Sequence, residues 1–369
     1  MRIGLFAHSI RLDGQQHAGV SRSSQRLLEA LIEHNEHEFV IFVKHDAVAP
    51  KRWTDKPNVK VVRTWAKTRL WNLIGRNLEP IKHRLDAWYS VSGMVPSTPF
   101  IPKGSLIHDI FWHTYKDTYT AEDVEIHRKM YTNIAKNSSF FTAVSHESAR
   151  QFAELFNLSL DKFTVLAWGS GQAVEFNDEV LPRPELPTNN DYLFVISTLE
   201  PRKNLKALFR AYSLLLKNGN HPQLDLVVAG AKGWKTEGIL ELVQELGLAD
   251  RIHFLGYVED AVVPALYQHS KAAVTPSLEE GFGMPILEAM QYGTLVVSSN
   301  SPAQQEVGGD IPIYFDPKDE PGMARAIEEA LSVSDRQAKI EAGKQRAKLF
   351  SYQISAERVL AAIQKQVEG

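Results

Sequence analysis

Short apolar runs alternate with amphipathic stretches along nearly the whole of this chain, and the alternation lapses once, near the middle. Before the lapse, "RIGLFAHS", "EFVIFVK", "AWYSV", "GSLIHDI" and "FFTAVS" read as strands. Between them "SRSSQRLLEALIEH", with Leu27, Leu28 and Leu31 on one side, reads as a helix, as do "AEDVEIHRKMYTNIAKN" and "HESARQFAELFN". After it, "YLFVIS", "DLVVAG", "IHFLGYV", "AAVTPS", "TLVVSS" and "PIYFD" repeat the pattern. Strand and helix in strict turn call for a parallel, doubly wound sheet, because parallel neighbours need a crossover. A pattern that restarts calls for two such sheets.

The lapse covers residues 172–191, "QAVEFNDEVLPRPELPTNND", where three prolines and several acids replace the apolar period. It reads as a linker between a Rossmann-like domain at 1–171 and a second at 192–349. The final stretch, about 350–369, is a helix that could return to the first domain. A length of 369 residues suits two cores of ordinary size. Two such domains facing each other would put the carboxyl ends of both sheets around one cleft, where open α/β sheets bind ligands. Closure of that cleft on substrate is expected, to keep water from the reaction.

The chain has no cysteine, which excludes disulfides, thiolate catalysis and zinc–sulfur sites. A net charge of −3 gives no general reason to bind nucleic acid. The N-terminus "MRIGLFAHSI" reads as a strand and not a signal peptide, and no apolar run is long enough for a bilayer. The expected location is the cytoplasm.

The stretch "PSLEEGFGMPILEAMQYG", residues 276–293, carries the densest chemistry. Pro285 suits a helix start and Gly293 its end, so a helix is predicted over about 285–292. Glu280 then lies in the loop before it, and Glu288 within its first turn or so. Gly281 and Gly283 let the backbone approach a ligand, and the unpaired N–H groups of the helix start suit an anion. A glutamate near a helix start is also favoured by the helix dipole alone. A second loop, "TLEPRKN" at 198–204, sets Arg202 and Lys203 just before another helix.

Glu280, seven residues, then Glu288, preceded by "PSL" and followed by "EAMQYGTLVVSSN", resembles the nucleotide-sugar site of retaining glycosyltransferases with the GT-B fold, family 4. "TLEPRKN" is similar to that family's phosphate-binding loop, and in form looks most like its mannosyltransferases. The resemblance implies that Arg202 and Lys203 hold the donor diphosphate and stabilise the leaving nucleotide. It implies that Glu288 binds the ribose hydroxyls, that Glu280 lies near the donor sugar, and that Gly281, Phe282, Gly283 and Met284 offer backbone contacts. Tyr257 and Val258, in "FLGYVED", match the segment that holds the base.

In the first domain "HAGVSRSSQRLL" is similar to the family's glycine-rich loop, with Gly19 near the phosphates and Arg22 at the matching arginine. Ala18 stands where a first glycine is usual. "LIHDI" supplies His108, matching a histidine that reaches the donor sugar, and Asp109, assigned with Arg22 to the acceptor side. Without the resemblance His108 reads as an ordinary histidine at a sheet end. Thr198 replaces an arginine that many relatives have, and "AWGSGQ" replaces their usual turn before the linker.

The implied reaction moves a sugar from a nucleoside diphosphate, GDP-mannose first, to a glycan or polyprenyl-diphosphate-linked acceptor of a surface polysaccharide or glycolipid, with retention and without a metal or other cofactor. Two other readings stay open: a UDP-sugar transferase, and a nucleotide-sugar-binding subunit that no longer transfers. A GT-B epimerase would need an acid/base pair for which no residue speaks. Between Lys51 and Arg84 ten basic residues (Lys51, Arg52, Lys56, Lys60, Arg63, Lys67, Arg69, Arg76, Lys82, Arg84) face only Asp55 and Glu79, with Trp53, Trp65 and Trp71 among them. This is either a solvated face over core aromatics or a patch for an anionic acceptor or the inner membrane surface.

Overall fold

The computed structural model describes every residue except 9, 11–18, 66–70, 92, 171–179, 232 and 234–237. Ala18, Lys67, Arg69 and most of the "AWGSGQ" to linker segment's first half therefore lie outside the described residues. The chain divides into two compact units, Met1–Gly171 with Phe350–Gly369, and Gln172–Leu349.

In the first unit the strands are β1 (Arg2–Phe6), β2 (Glu38–Val43), β3 (Val59–Arg63), β4 (Ala87–Ser90), β5 (Lys103–Ile107), β6 (Phe140–Ala143) and β7 (Phe163–Val165). They form one sheet in the order β3-β2-β1-β4-β5-β6-β7, every pair parallel. The order reverses between β1 and β4, and the carboxyl edge of such a switch point is where open α/β sheets bind ligands. Central strands are covered on both faces, which is why "EFVIFV" is apolar almost throughout and does not alternate. The helix Val20–Ile32 buries Leu27, Leu28 and Leu31. The helix Tyr352–Glu368, capped by the Ser351 hydroxyl, packs against it with Val359, Leu360 and Ile363 buried.

The second unit repeats the scheme with β8 (Asp191–Ile196), β9 (Leu224–Ala229), β10 (Ile252–Gly256), β11 (Ala272–Thr275), β12 (Val296–Ser299) and β13 (Ile313–Phe315). Its order is β10-β9-β8-β11-β12-β13, again parallel, and it reverses between β8 and β11. The core under the sheet is built by Leu208, Tyr212 and Leu215 of the helix Leu205–Lys217 with Met323 and Ile327 of Glu320–Ser332. One carboxylate breaks the apolar rule: Asp225, 1% exposed in β9, is held by Arg251 (2.7 Å) and His253 (2.9 Å) at the amino edge, away from the carboxyl edge.

Candidate functional site

The two loops at the second unit's switch point are tied into one piece. After β8 the chain makes a short 3-10 turn, Pro201–Lys203, which Asn204 closes in the left-handed region at φ 57. The Asn204 amide then donates to the carbonyls of Pro276 (3.1 Å) and Pro317 (2.8 Å), reaching the loop that follows β11. Leu278 N–H donates to the Arg202 carbonyl at 2.9 Å, and Arg202 Nη1 to the Glu279 carbonyl at 2.7 Å.

Charge is concentrated on this joint. Glu280 Oε1 accepts from Lys203 Nζ and from Ser277 Oγ, each at 2.6 Å, and Oε2 accepts from Arg202 Nη1 at 3.0 Å. The other side of the guanidinium, Nη2, donates to Glu200 Oε1 at 2.5 Å. Burial by itself would raise the Glu280 carboxyl, but Lys203 and Arg202, with the bonds from Lys203 and Ser277, outweigh it and hold the group at about 2. Two cations and two carboxylates balance, so the cations stand fixed before any ligand arrives.

The helix expected at about 285–292 runs Met284–Gln291, with Pro285 in its first turn and Gly293 at φ 74 just past its end. Gly283 precedes it at φ 128, a backbone state that side chains disfavour. Glu288 sits beyond the first turn, contrary to expectation, so the dipole at the helix start does not account for it. It is buried, and its Oε2 accepts from the Tyr267 hydroxyl at 3.2 Å. Burial, and then the Glu288 charge, push the Tyr267 phenol up. Gly281 and Met284 are partly exposed beside the buried Phe282. Tyr257 is exposed and Val258 partly so, both at the carboxyl end of β10.

In the first unit Gly19, at φ 72, opens the helix that carries Arg22, and one turn further the buried Ser24 Oγ lies 3.3 Å from His108 Nε2. His108 follows β5, edge-on to Trp168, and burial pushes its imidazole down to about 4, so it is neutral at pH 7. Asp109 accepts from the Phe111 N–H at 3.1 Å, a local turn. The basic stretch is not one solvated patch. Trp53 and Trp71 are core residues, Arg52 pairs with Glu29 of the first helix and Lys56 with Glu33 just past its end, and Arg76 is buried.

Glu200, Ser277, Tyr267 and Ser24 were not assigned roles from sequence. Only Glu200 had a signal, its place beside Arg202; the others meet their partners through sheet order. Among the described residues no group of three His, Asp or Glu side chains stands together as a metal site.

Residues 177–346 match the family model described as glycosyl transferases group 1. O-antigen chain mannosyltransferase B of Escherichia coli is 32% identical over 252 residues, 67% of this chain and 66% of its own length. The serotype-specific mannosyltransferase WbdA of Escherichia coli is 30% identical over 196 residues, 52% of this chain and 24% of its own. The matched stretches thus span less than two thirds of these curated relatives. The solved structure of Anabaena Alr3699/HepE in complex with UDP has a TM-score of 0.72 at 17% identity, covering 99% of this chain and 100% of that one. Two doubly wound parallel units of this kind define the GT-B class of fold. The match to glycosyl transferases group 1 lies within the second unit.

Proposed function

We propose that this chain is a retaining mannosyltransferase that uses GDP-mannose and a glycan or lipid-linked acceptor in the synthesis of a surface polysaccharide. The observation that carries the reading is the Arg202–Glu280–Lys203 network at the switch point of a group 1 domain. The names of the two Escherichia coli relatives support mannose as the sugar.

In this reading the donor diphosphate engages Arg202 and Lys203, which stabilise charge on the departing GDP. Glu288 receives the ribose hydroxyls, and Glu280 stands by the sugar. The backbone of Gly281 to Met284 closes around sugar and phosphate, and Tyr257 and Val258 flank the base. Gly19 faces the phosphates, and the neutral His108 donates or accepts a hydrogen bond at the sugar without adding charge. Asp109 and Arg22 lie on the acceptor side. The bond from the anomeric carbon to the diphosphate oxygen breaks, the acceptor oxygen bonds to that carbon on the same face, and the acceptor proton passes to the departing phosphate oxygen. Two fixed cations take the place of a metal.

Ile74, Leu78 and Ile81 are exposed one helical face apart from the buried Arg76 and Glu79, with Lys82 and Arg84 beside them, which supports contact with an anionic membrane surface. The test is sugar transfer from GDP-mannose, UDP-glucose, dTDP- and ADP-sugars to a lipid-linked acceptor, with product configuration read by NMR. Transfer of mannose with retention, unaffected by a chelator, is expected. Transfer from a UDP-sugar alone would replace the donor, and donor binding without any transfer would leave a binding subunit.

A further inference from the structure

The first unit has its own switch point, between β1 and β4, and an unbalanced charge lies near His8, just past the carboxyl end of β1. Arg76 belongs to the helix Arg76–Lys82, which leads into β4. It is only 5% exposed, and its Nε and Nη1 have no hydrogen-bond partner among the described residues. Glu79, one turn on in the same helix, is engaged elsewhere: its Oε2 lies 3.1 Å from His83 Nε2 and 3.8 Å from Lys82 Nζ. Burial pulls the guanidinium down to about 10, so it still carries its charge at pH 7. By contrast Arg202 and Arg251 each meet a carboxylate.

A histidine, a tryptophan and further cations stand near Arg76. His8 follows β1 and stacks against both Phe6 (4.5 Å) and Trp71 (4.8 Å), which are themselves 5.8 Å apart. Trp71 lies against Gly75, where an added Cβ would meet the indole Nε1 at 2.9 Å. His8 Nε2 and Trp71 Nε1 are both buried and have no hydrogen-bond partner among the described residues. Burial first, then Lys44, Arg76 and His45, push the His8 imidazole down to about 4, so these charges all act at this point. Asp46 opposes them, but its side chain is mostly solvated and lies 4.0 Å from His45.

We propose that this cluster is a binding site for a phosphoryl group, with the Arg76 guanidinium as its central charge and His8, Trp71 and Lys44 around it. A planar fork of N–H groups fits phosphate oxygens, and unpartnered buried donors are a cost that a bound anion removes. That the phosphoryl group belongs to the acceptor rests on the transferase reading. The anion site itself does not.

The test is calorimetric titration of the whole chain with pyrophosphate in a Lys203→Ala background. There Arg202 faces the Glu200 and Glu280 carboxylates alone, and the second unit repels the probe. Lys203→Ala is expected to keep one saturable site, and adding Arg76→Gln to weaken it at least about tenfold, the loss of one charged hydrogen-bonding partner. Arg76→Gln alone is expected to melt no lower than the parent, because it removes an unpaired charge. Arg76→Lys, which keeps the charge and loses the fork, is expected to bind in between and covers the case in which the glutamine variant misfolds. Absence of pyrophosphate binding in Lys203→Ala, or unchanged binding in the double variant, overturns the proposal.

Two sources of the phosphoryl group are separated with phosphatidylcholine vesicles, with and without polyprenyl diphosphate. Arg76-dependent retention on the loaded vesicles assigns a lipid-linked acceptor; competition by mannose 1-phosphate without retention assigns a soluble one. A chain that binds pyrophosphate through Arg76 yet transfers no sugar would sink the transferase reading and leave this site standing.

Discussion

Lys203 Nζ lies 2.6 Å from Glu280 Oε1, in a pair whose side chains are 14% and 12% exposed. Residues so far apart in the chain meet because β8 and β11 are neighbours in the sheet, and the loops leaving both strands point to the same edge. The carboxylate occupies the two cations on which a diphosphate would act.

Replacing Glu280 by Gln should therefore abolish transfer while leaving nucleoside diphosphate affinity unchanged or tighter, since the cations lose their internal competitor. Breaking a largely buried ion pair also costs about 3 kcal/mol of stability, seen as a lower Tm. Calorimetry with GDP checks the first part. A clear loss of GDP affinity would mean that the carboxylate itself touches the nucleotide.

Lys203→Ala has the opposite signature. A charged hydrogen bond is worth about 1.5–3 kcal/mol, so GDP should bind about 10- to 100-fold more weakly, and kcat/KM should fall by at least as much. If both stay at parental values, the turn Pro201–Lys203 only connects β8 to its helix.

Tyr267→Phe removes the hydroxyl that holds Glu288 Oε2 at 3.2 Å and also reaches the Pro285 carbonyl at 3.3 Å. About 1 kcal/mol of stability should be lost, with KM for the donor raised and kcat little changed. An unchanged KM beside a reduced kcat would place Glu288 with the reacting sugar and not with the ribose.

Stability should fall on mild acidification. Burial, with neighbouring cations at His8, pushes both His8 and His108 from 6.5 down to about 4. Unfolded chains take up these protons below about 6.5 and the folded chain only near 4, so the contribution is full above that window and is lost as pH falls through it. Glu280, held at about 2, adds stability above its unfolded value of 4.5 that is lost as pH falls further. Melting curves from pH 7.5 to about 4 check this, and His108→Gln should flatten the slope. A Tm that stays level from about 6.5 to 4.5 would contradict the buried, neutral imidazoles.

The alternation of apolar runs carried most of the architecture. The helix Ala121–Asn137 is legible residue for residue, because Thr120 caps it and the apolar period ends where Ser138 begins. Strand β3 was missed: it lies at the sheet edge with Lys60 and Arg63 exposed, so its "VKVVR" merged into the basic run. At the site, local patterns located Glu280, Glu288, Arg202 and Lys203 but not their pairing, which depends on which strands become neighbours. Ser277 and Tyr267 are common residues in common settings, and only distance distinguishes them. The basic run misled for a related reason. Charge in a sequence gives no sign of burial, so Arg76 looked like a surface residue.

The helix Tyr352–Glu368 packs against the helix Val20–Ile32, yet the whole second unit is made between them. During synthesis the first unit must wait, its apolar seam open, until the chain has finished the domain that follows. The second unit suffers no such delay. A nascent chain halted after Leu349 should carry a protected second unit and a first unit still open to protease along Val20–Ile32, so the order of completion is the reverse of the order of translation.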